Sequence, residues 1–237
     1  MHWCLGMYAS GSTWLFNATV AVARALFPGS RVSGCFVHAA ASLPQDDPQA
    51  VRIVKSHDAE PEAALALARS AAAILLTVRD PRDAVVSLMQ SQRYRFLPAV
   101  AAIHRSAHYC AVLAPDRRTR IFRYESGFTD DPATAVAIAA TFAARLAEPD
   151  RARIHAALRR PAIEALIAGL PDLPGAVRDP RSGDFEDPVT QWHTHHAGRD
   201  GRIGKWRDRL TPEQAAFIDQ RLRPTMAILG YPASTPP

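Results

Sequence analysis

The segment that most constrains this chain lies at its start. A short apolar run, His2 to Tyr8 (HWCLGMY), passes directly into a turn of small residues, Ala9 to Ser12, and then into a helix-patterned stretch from Thr13 to Leu26 that stops at Phe27-Pro28-Gly29. A strand that feeds straight into a helix needs a parallel neighbour to pair with and a second face to bury against. It therefore commits the fold to alternating strands and helices.

The rest of the chain repeats that alternation. Val51 to Val54 reads as a second strand ending in Lys55-Ser56-His57, and Pro61 to Ala72 as an alanine-rich helix. Ala73 to Val78 (AILLTV) is an apolar run suited to a strand buried on both faces. A helix then starts at Pro81, where a first-turn proline is tolerated. Leu97 to Leu113 is helical in pattern, Arg120 to Tyr124 is a fourth strand, and Asp131-Pro132 opens a helix to about Leu146, with short helices to about Leu170. Leu170 to Gly198, rich in Pro, Gly, Asp and His, reads as a long loop. Thr211-Pro212-Glu213-Gln214 is a capping-box start for the last helix. The expectation is an α/β chain, a three-layer P-loop-type fold with a central parallel β-sheet flanked by helices, in a single domain over residues 1–237.

Composition narrows the partners. The chain has 237 residues, 48% hydrophobic and 22% charged, enough for one sizeable core. A net charge of +5 suits a nucleic acid, an anionic membrane surface or a polyanionic small ligand. The arginines are scattered rather than gathered in a run, which argues against nucleic acid. Three separated cysteines, Cys4, Cys35 and Cys110, argue against a disulfide framework and for a reducing, cytoplasmic setting. The first eight residues lack a basic region and a long apolar run, so a signal peptide is not expected. No segment approaches the ~20 apolar residues of a membrane span.

Gly6-Met7-Tyr8-Ala9-Ser10-Gly11-Ser12-Thr13 has the Walker A spacing with serine at the lysine position. Small residues let successive backbone amides curl around an anion at a helix N-terminus, where the dipole favours negative charge. Ser10, Ser12 and Thr13 add hydroxyls. Without the lysine, such a loop suits one phosphate-like group better than a triphosphate. Trp14 reads either as core or as a flat face for a purine.

Three more segments end strands or precede the last helix. Arg79 closes the buried strand, and Ser87 follows about two turns along the next helix. An arginine fork with a serine hydroxyl takes a phosphate, although an Arg79–Asp83 pair would serve structure alone. Tyr124-Glu125 ends the fourth strand, where Tyr124 meets either a nucleobase or the core. Arg199-Asp200-Gly201-Arg202-Ile203-Gly204-Lys205-Trp206-Arg207 is a basic, glycine-bearing loop, suited to wrapping a phosphate or simply to solvent.

Together and in order, these segments resemble the PAPS-dependent sulfotransferase family, of the bacterial, cytosolic type. Ser10-Gly11-Ser12-Thr13-Trp14 is similar to its 5′-phosphosulfate loop. Arg79 through Ser87 is similar to its 3′-phosphate motif, Tyr124-Glu125-Ser126 to its Tyr-Glu-Asp segment, and Arg199 to Trp206 to its C-terminal phosphate loop. The resemblance implies a co-substrate, 3′-phosphoadenosine 5′-phosphosulfate (PAPS), and no metal. Ser10, Gly11, Ser12, Thr13, Trp14, Arg79, Ser87, Tyr124, Arg199 and Gly201 would hold the nucleotide. Val54-Lys55-Ser56-His57 resembles the family's Lys-Thr-His segment, which makes His57 the general base and Lys55 the cation on the leaving phosphate.

Two positions depart from the family pattern. Ala9 stands where many members carry a lysine, leaving more of the charge stabilisation to Lys55. Asp200 stands where lysine is common, with Arg199 or Arg202 as substitutes. His193-x-His195-His196 and His104-x-x-x-His108 invite a metal reading, but neither has carboxylate or cysteine partners at convincing spacing. The acceptor, a small molecule or saccharide offering a hydroxyl or amine, would lie against Gly34–Pro48, Arg93–Pro98 and Leu170–His196. A P-loop small-molecule kinase and a catalytically idle nucleotide- or polyanion-binding protein are the competing readings. Oligomeric state is not legible in the sequence.

Overall fold

The computed structural model describes residues 1–45, 47–180, 182–196 and 200–233. Five parallel strands form the central sheet: β1 (His2–Gly6), β2 (Arg31–Phe36), β3 (Ala50–Ser56), β4 (Ala73–Val78) and β5 (Thr119–Arg123), in the order β2-β3-β1-β4-β5. The helices are α1 (Ser12–Leu26), α2 (Pro61–Ser70), α3 (Pro81–Ser91), α4 (Phe96–Leu113), α5 (Ala133–Ala140), α6 (Glu148–Leu158), α7 (Arg160–Ala168), α8 (Trp206–Arg209) and α9 (Pro212–Leu229). A two-stranded antiparallel ribbon, β6 (Val177–Arg178) with β7 (Phe185–Glu186), stands apart from the sheet.

The three-layer expectation holds because the strands alternate their side chains between two cores. Trp3 and Leu5 of β1 and Ile74, Leu76 and Val78 of β4 face α2, α3, α4 and α9. Cys4, Ala73 and Leu75 face α1 and α5 to α7. This is the period of two for a sheet covered on both sides. All six residues of β4 are buried, as its apolar run required. The capping box also forms: the Gln214 amide donates to Thr211 Oγ1 at 3.2 Å, and the Thr211 amide to Gln214 Oε1 at 3.0 Å.

Two segments correct the sequence reading. Arg31–Phe36 is a strand, so the proposed acceptor segment Gly34–Pro48 begins inside the sheet. Its mixed sequence, RVSGCF, is that of a half-exposed edge strand, which lacks an unbroken apolar run. Leu170–Gly198 is not one loop but carries, among its described residues, β6, β7 and two 3-10 turns, Leu170–Asp172 and Thr194–His196. Its elements are too short to leave a period.

Because the five strands are parallel, their carboxyl ends lie on one edge. Chain order reverses beside β1, with β2 and β3 on one side and β4 and β5 on the other. Ligands of open α/β sheets gather at such a point. The loop after β1, Ser56-His57 after β3, Arg79 after β4 and Tyr124 after β5 all leave this edge.

Candidate active site

The loop between β1 and α1 turns sharply. Gly11 has φ 86°, where a side chain is strained, and Ala9 has φ 59° in the same left-handed region. A non-glycine residue there costs about 1–3 kcal/mol, a cost that clusters at binding sites. No side chain caps α1, so the first amides of the helix open toward the loop. Ser10 differs from expectation. Its hydroxyl is fully buried, donates to Met7 O at 2.5 Å and meets Thr77 Oγ1 at 2.7 Å, so it braces the loop against β4 and leaves only the backbone available to an anion. Ser12 and Thr13 are buried at the helix start.

Trp14 is also corrected, since its ring packs into the core. Its indole N–H donates to Leu158 O at 2.8 Å, and the ring meets Phe128 edge-on at 5.6 Å. With 9% of the residue exposed, it offers no open face to a purine.

Lys55 and His57 end β3 beside this loop. Lys55 Nζ donates to Thr13 Oγ1 at 2.7 Å, which sets the ammonium at the start of α1. Burial pulls its pKa down to about 7, against a raising influence from Glu186. His57 Nδ1 lies 2.6 Å from Gly6 O. A carbonyl only accepts, so Nδ1 carries the proton and Nε2 keeps its lone pair. The ring stacks on Tyr8 at 4.2 Å, and Tyr8 Oη donates to Asp58 Oδ1 at 2.8 Å. Arg105 Nε in turn donates to Asp58 Oδ2 at 3.0 Å. The imidazole is thus held by a backbone bond on one edge and a tethered phenol on one face. Burial, then the charge of Lys55, lowers its pKa to about 3. The pKa thus lies well below the ordinary imidazole value near ~6.5, and the ring is neutral throughout the physiological range.

The far end of the edge holds Arg79, Ser87, Tyr124 and Gly201 together. Arg79 is only 3% exposed, so it does not face solvent. One of its terminal nitrogens donates to Ser87 Oγ at 3.2 Å and Ala9 O at 3.3 Å, the other to Arg202 O at 3.2 Å and Gly201 O at 3.4 Å. Its guanidinium lies 4.0 Å over the Tyr124 ring, whose hydroxyl donates to Gly201 O at 3.2 Å. A Cβ on Gly201 would stand 2.7 Å from that hydroxyl, so the contact requires glycine. The buried Nε of Arg79 has no hydrogen-bond partner among the described residues. The alternative Arg79–Asp83 pair does not form; Asp83 instead accepts from the amides of Gly204 at 2.6 Å and Trp206 at 2.9 Å, pinning the loop to α3.

Sequence reasoning passed over Lys205. The residue is 2% exposed, and its ammonium donates to Asp200 O at 2.8 Å and Gln90 Oε1 at 3.1 Å. Burial, then the Arg79 charge, lowers its pKa. Lys205, not Arg202, is the cation beside Arg79, because Arg202 turns outward to pair with Asp208 at 2.6 Å. Arg199 lies outside the described residues. A cavity of about 400 Å³ opens here, lined by Tyr124, Gly127, Thr129, Arg160, Gly201 and Arg202 among others. Arg160 carried no sequence signal beyond its charge.

On the other side of Lys55 lies the histidine-bearing segment. Glu186 acts electrostatically on Lys55, and His193 on His57. Phe36, from the edge strand, has its ring 5.7 Å from Lys55 Nζ and 6.1 Å from the His57 ring.

No family model and no curated protein sequence matches the chain. Solved structures do. Mouse sulfotransferase SULT7A1 complexed with PAP superposes with a TM-score of 0.65, at 15% identity over 95% of this chain and 83% of that one. Retinol dehydratase in complex with androsterone and inactive cofactor PAP gives 0.63, at 16% identity over 95% and 80%. The chain has the sulfotransferase fold. At such low identity the sulfotransferase likeness is one of backbone, and the side chains must argue for themselves.

Among the described residues no helix is long and apolar enough to cross a membrane. Cys4, Cys35 and Cys110 are all free thiols.

Proposed function

We propose that the chain is a PAPS-dependent sulfotransferase that moves a sulfuryl group to a hydroxyl or amine of a small-molecule or saccharide acceptor. The observation that carries this reading is the pair of separate anion holders on one sheet edge. Arg79 and Lys205 are buried cations held near one another by backbone carbonyls and neutral side chains, and the loop Ala9–Thr13 with Lys55 is the second holder. A nucleotide with phosphates at both its 3′ and 5′ positions has the charge distribution for such a pair. The structural neighbours were crystallised with PAP. The three free thiols fit the reducing cytoplasm.

In this reading the acceptor oxygen or nitrogen attacks sulfur in line. His57 Nε2 takes the acceptor's proton as the new bond to sulfur forms. The bond from sulfur to the 5′-phosphate oxygen breaks, and Lys55 with the α1 amides holds the charge left on that oxygen. The Gly6 carbonyl fixes the tautomer, and Tyr8 fixes the ring plane. The kinase alternative wants a Walker lysine, and the residue in its place, Ser12, is neutral and buried. An idle binding protein would share the anion holders but have no use for an oriented imidazole.

Adenosine 3′,5′-bisphosphate is expected to bind and ATP to bind far more weakly, measured by calorimetry. Comparing heat stabilisation by the bisphosphate, ATP and heparin separates the three readings, because a ligand of the folded state raises its melting temperature. ATP binding as tight as the bisphosphate would remove the support for sulfuryl transfer.

The pH dependence follows from Lys55. It is cationic below about 7 and neutral above, so kcat/KM for PAPS falls on the alkaline side with an inflection near 7. His57, lowered to about 3, contributes no acid limb near ~6.5. The stability sign is opposite. Lys55 goes from 10.5 when unfolded to about 7 when folded, so between those values the unfolded chain binds more protons. This residue therefore makes the fold more stable as pH rises through that window. A kcat/KM profile flat from neutral to alkaline pH would show that Lys55 keeps its proton in the free enzyme.

A further inference from the structure

We infer that Asp184, His193 and His195 form a binding site for one divalent transition-metal ion, with a donor set suited to zinc. Each of these residues offers one ligand atom, and the three atoms lie within 4.8 Å of one another. Zinc takes imidazole nitrogen at ~2.0–2.1 Å and carboxylate oxygen at ~2.0–2.2 Å, so small side-chain rotations bring all three onto one ion. Two nitrogens and one oxygen are a borderline-soft set, and three protein ligands leave a fourth position open.

The chain holds the ligands in place from several sides. Glu186 and His193 form a β-bridge, which sets the turn carrying Asp184 against the histidines. Thr194 Oγ1 and the His195 amide both donate to Asp184 Oδ1, the latter at 3.1 Å. His195 Nδ1 faces Asp184 Oδ2, while its Nε2 faces the Gln92 carboxamide at 3.2 Å. A ligating imidazole binds metal through one nitrogen and gives its other N–H to an outer acceptor. The atom of Gln92 that lies 3.2 Å from Nε2 is its amide nitrogen, and a half-turn of the carboxamide, which exchanges nitrogen and oxygen, sets an acceptor in that outer place when the ion is bound. Glu186 Oε1 stands 3.9 Å from His193 Nε2 as a further carboxylate.

The sequence expectation of no metal rested on the missing carboxylate near His193-x-His195-His196. Folding supplies it by returning Asp184 to the cluster. Glu186 and His193 act electrostatically on Lys55 and His57, so an ion here fastens the 184–196 segment beside the proposed acceptor side.

The test is a cobalt(II) titration of the full, tag-free, metal-stripped chain. The expected result is one equivalent bound, with the intense visible d–d absorption of a four-coordinate N/O site, displaced by zinc. Asp184→Asn and His195→Ala remove the signal, and Gln92→Ala weakens binding by about 10–100-fold. His108→Ala, on α4, leaves it intact. Far-UV circular dichroism and a cooperative melt establish that each variant is folded. If a ligand variant does not fold, the wild-type titration and Gln92→Ala still decide. Absence of saturable cobalt binding in the wild-type chain overturns the site, as does full-affinity binding by a folded His195→Ala chain.

Discussion

Replacing His57 with alanine removes most sulfuryl transfer, by about 10²–10⁴ in rate, while affinity for adenosine 3′,5′-bisphosphate stays nearly unchanged. The reason is where the imidazole stands. Its Nδ1 is committed to Gly6 O and its face to Tyr8, so the free Nε2 is the one group left to meet an acceptor. It makes no contact with Arg79, Ser87 or Tyr124, where the proposed 3′-phosphate sits. Lys55→Ala differs in kind, because Lys55 Nζ is bonded to Thr13 in the 5′ loop. That change lowers both transfer and nucleotide affinity. Turnover with PAPS and a working acceptor, measured beside bisphosphate affinity, separates the two. A His57→Ala chain with full turnover would move the base elsewhere, with His196, outside the proposed metal ligands, next in line.

Arg79→Ala weakens bisphosphate binding by roughly 1.5–3 kcal/mol, about 10- to 150-fold, since it deletes a charge-assisted contact to phosphate. The structure adds a second effect that the sequence did not foresee. Arg79 is buried and ties Ala9 O to the carbonyls of Gly201 and Arg202, so its loss also loosens the loop that carries Lys205. Removal of its charge, however, relieves Lys205, whose pKa Arg79 lowers. The two act in opposite directions on the melting temperature, whereas the lost guanidinium and the loosened loop both weaken the hold on a phosphate. Calorimetric affinity and the apo melting temperature are therefore read together. A collapse in melting temperature with unchanged affinity would make Arg79 structural.

The local pattern of the chain was enough for the frame. The apolar run 73–78, the strand–turn–helix at the start and the Thr211 capping box are each set by neighbours in sequence. They predicted a parallel sheet whose carboxyl ends carry Gly11, Lys55, His57, Arg79 and Tyr124. Tertiary packing alone decided which way side chains turn and what water they lose. It spent the Ser10 hydroxyl on Met7 and Thr77, sent Trp14 to the core against Leu158, and turned Arg202 out to Asp208 while Lys205 went in. It also buried Lys55 and His57 deeply enough to move their proton affinities. Asp184 reached the histidines by the same means. Strand and helix propensity act over a few residues and survive in the sequence as a period. Burial and charge proximity depend on groups brought together from distant parts of the chain, and no local pattern encodes them.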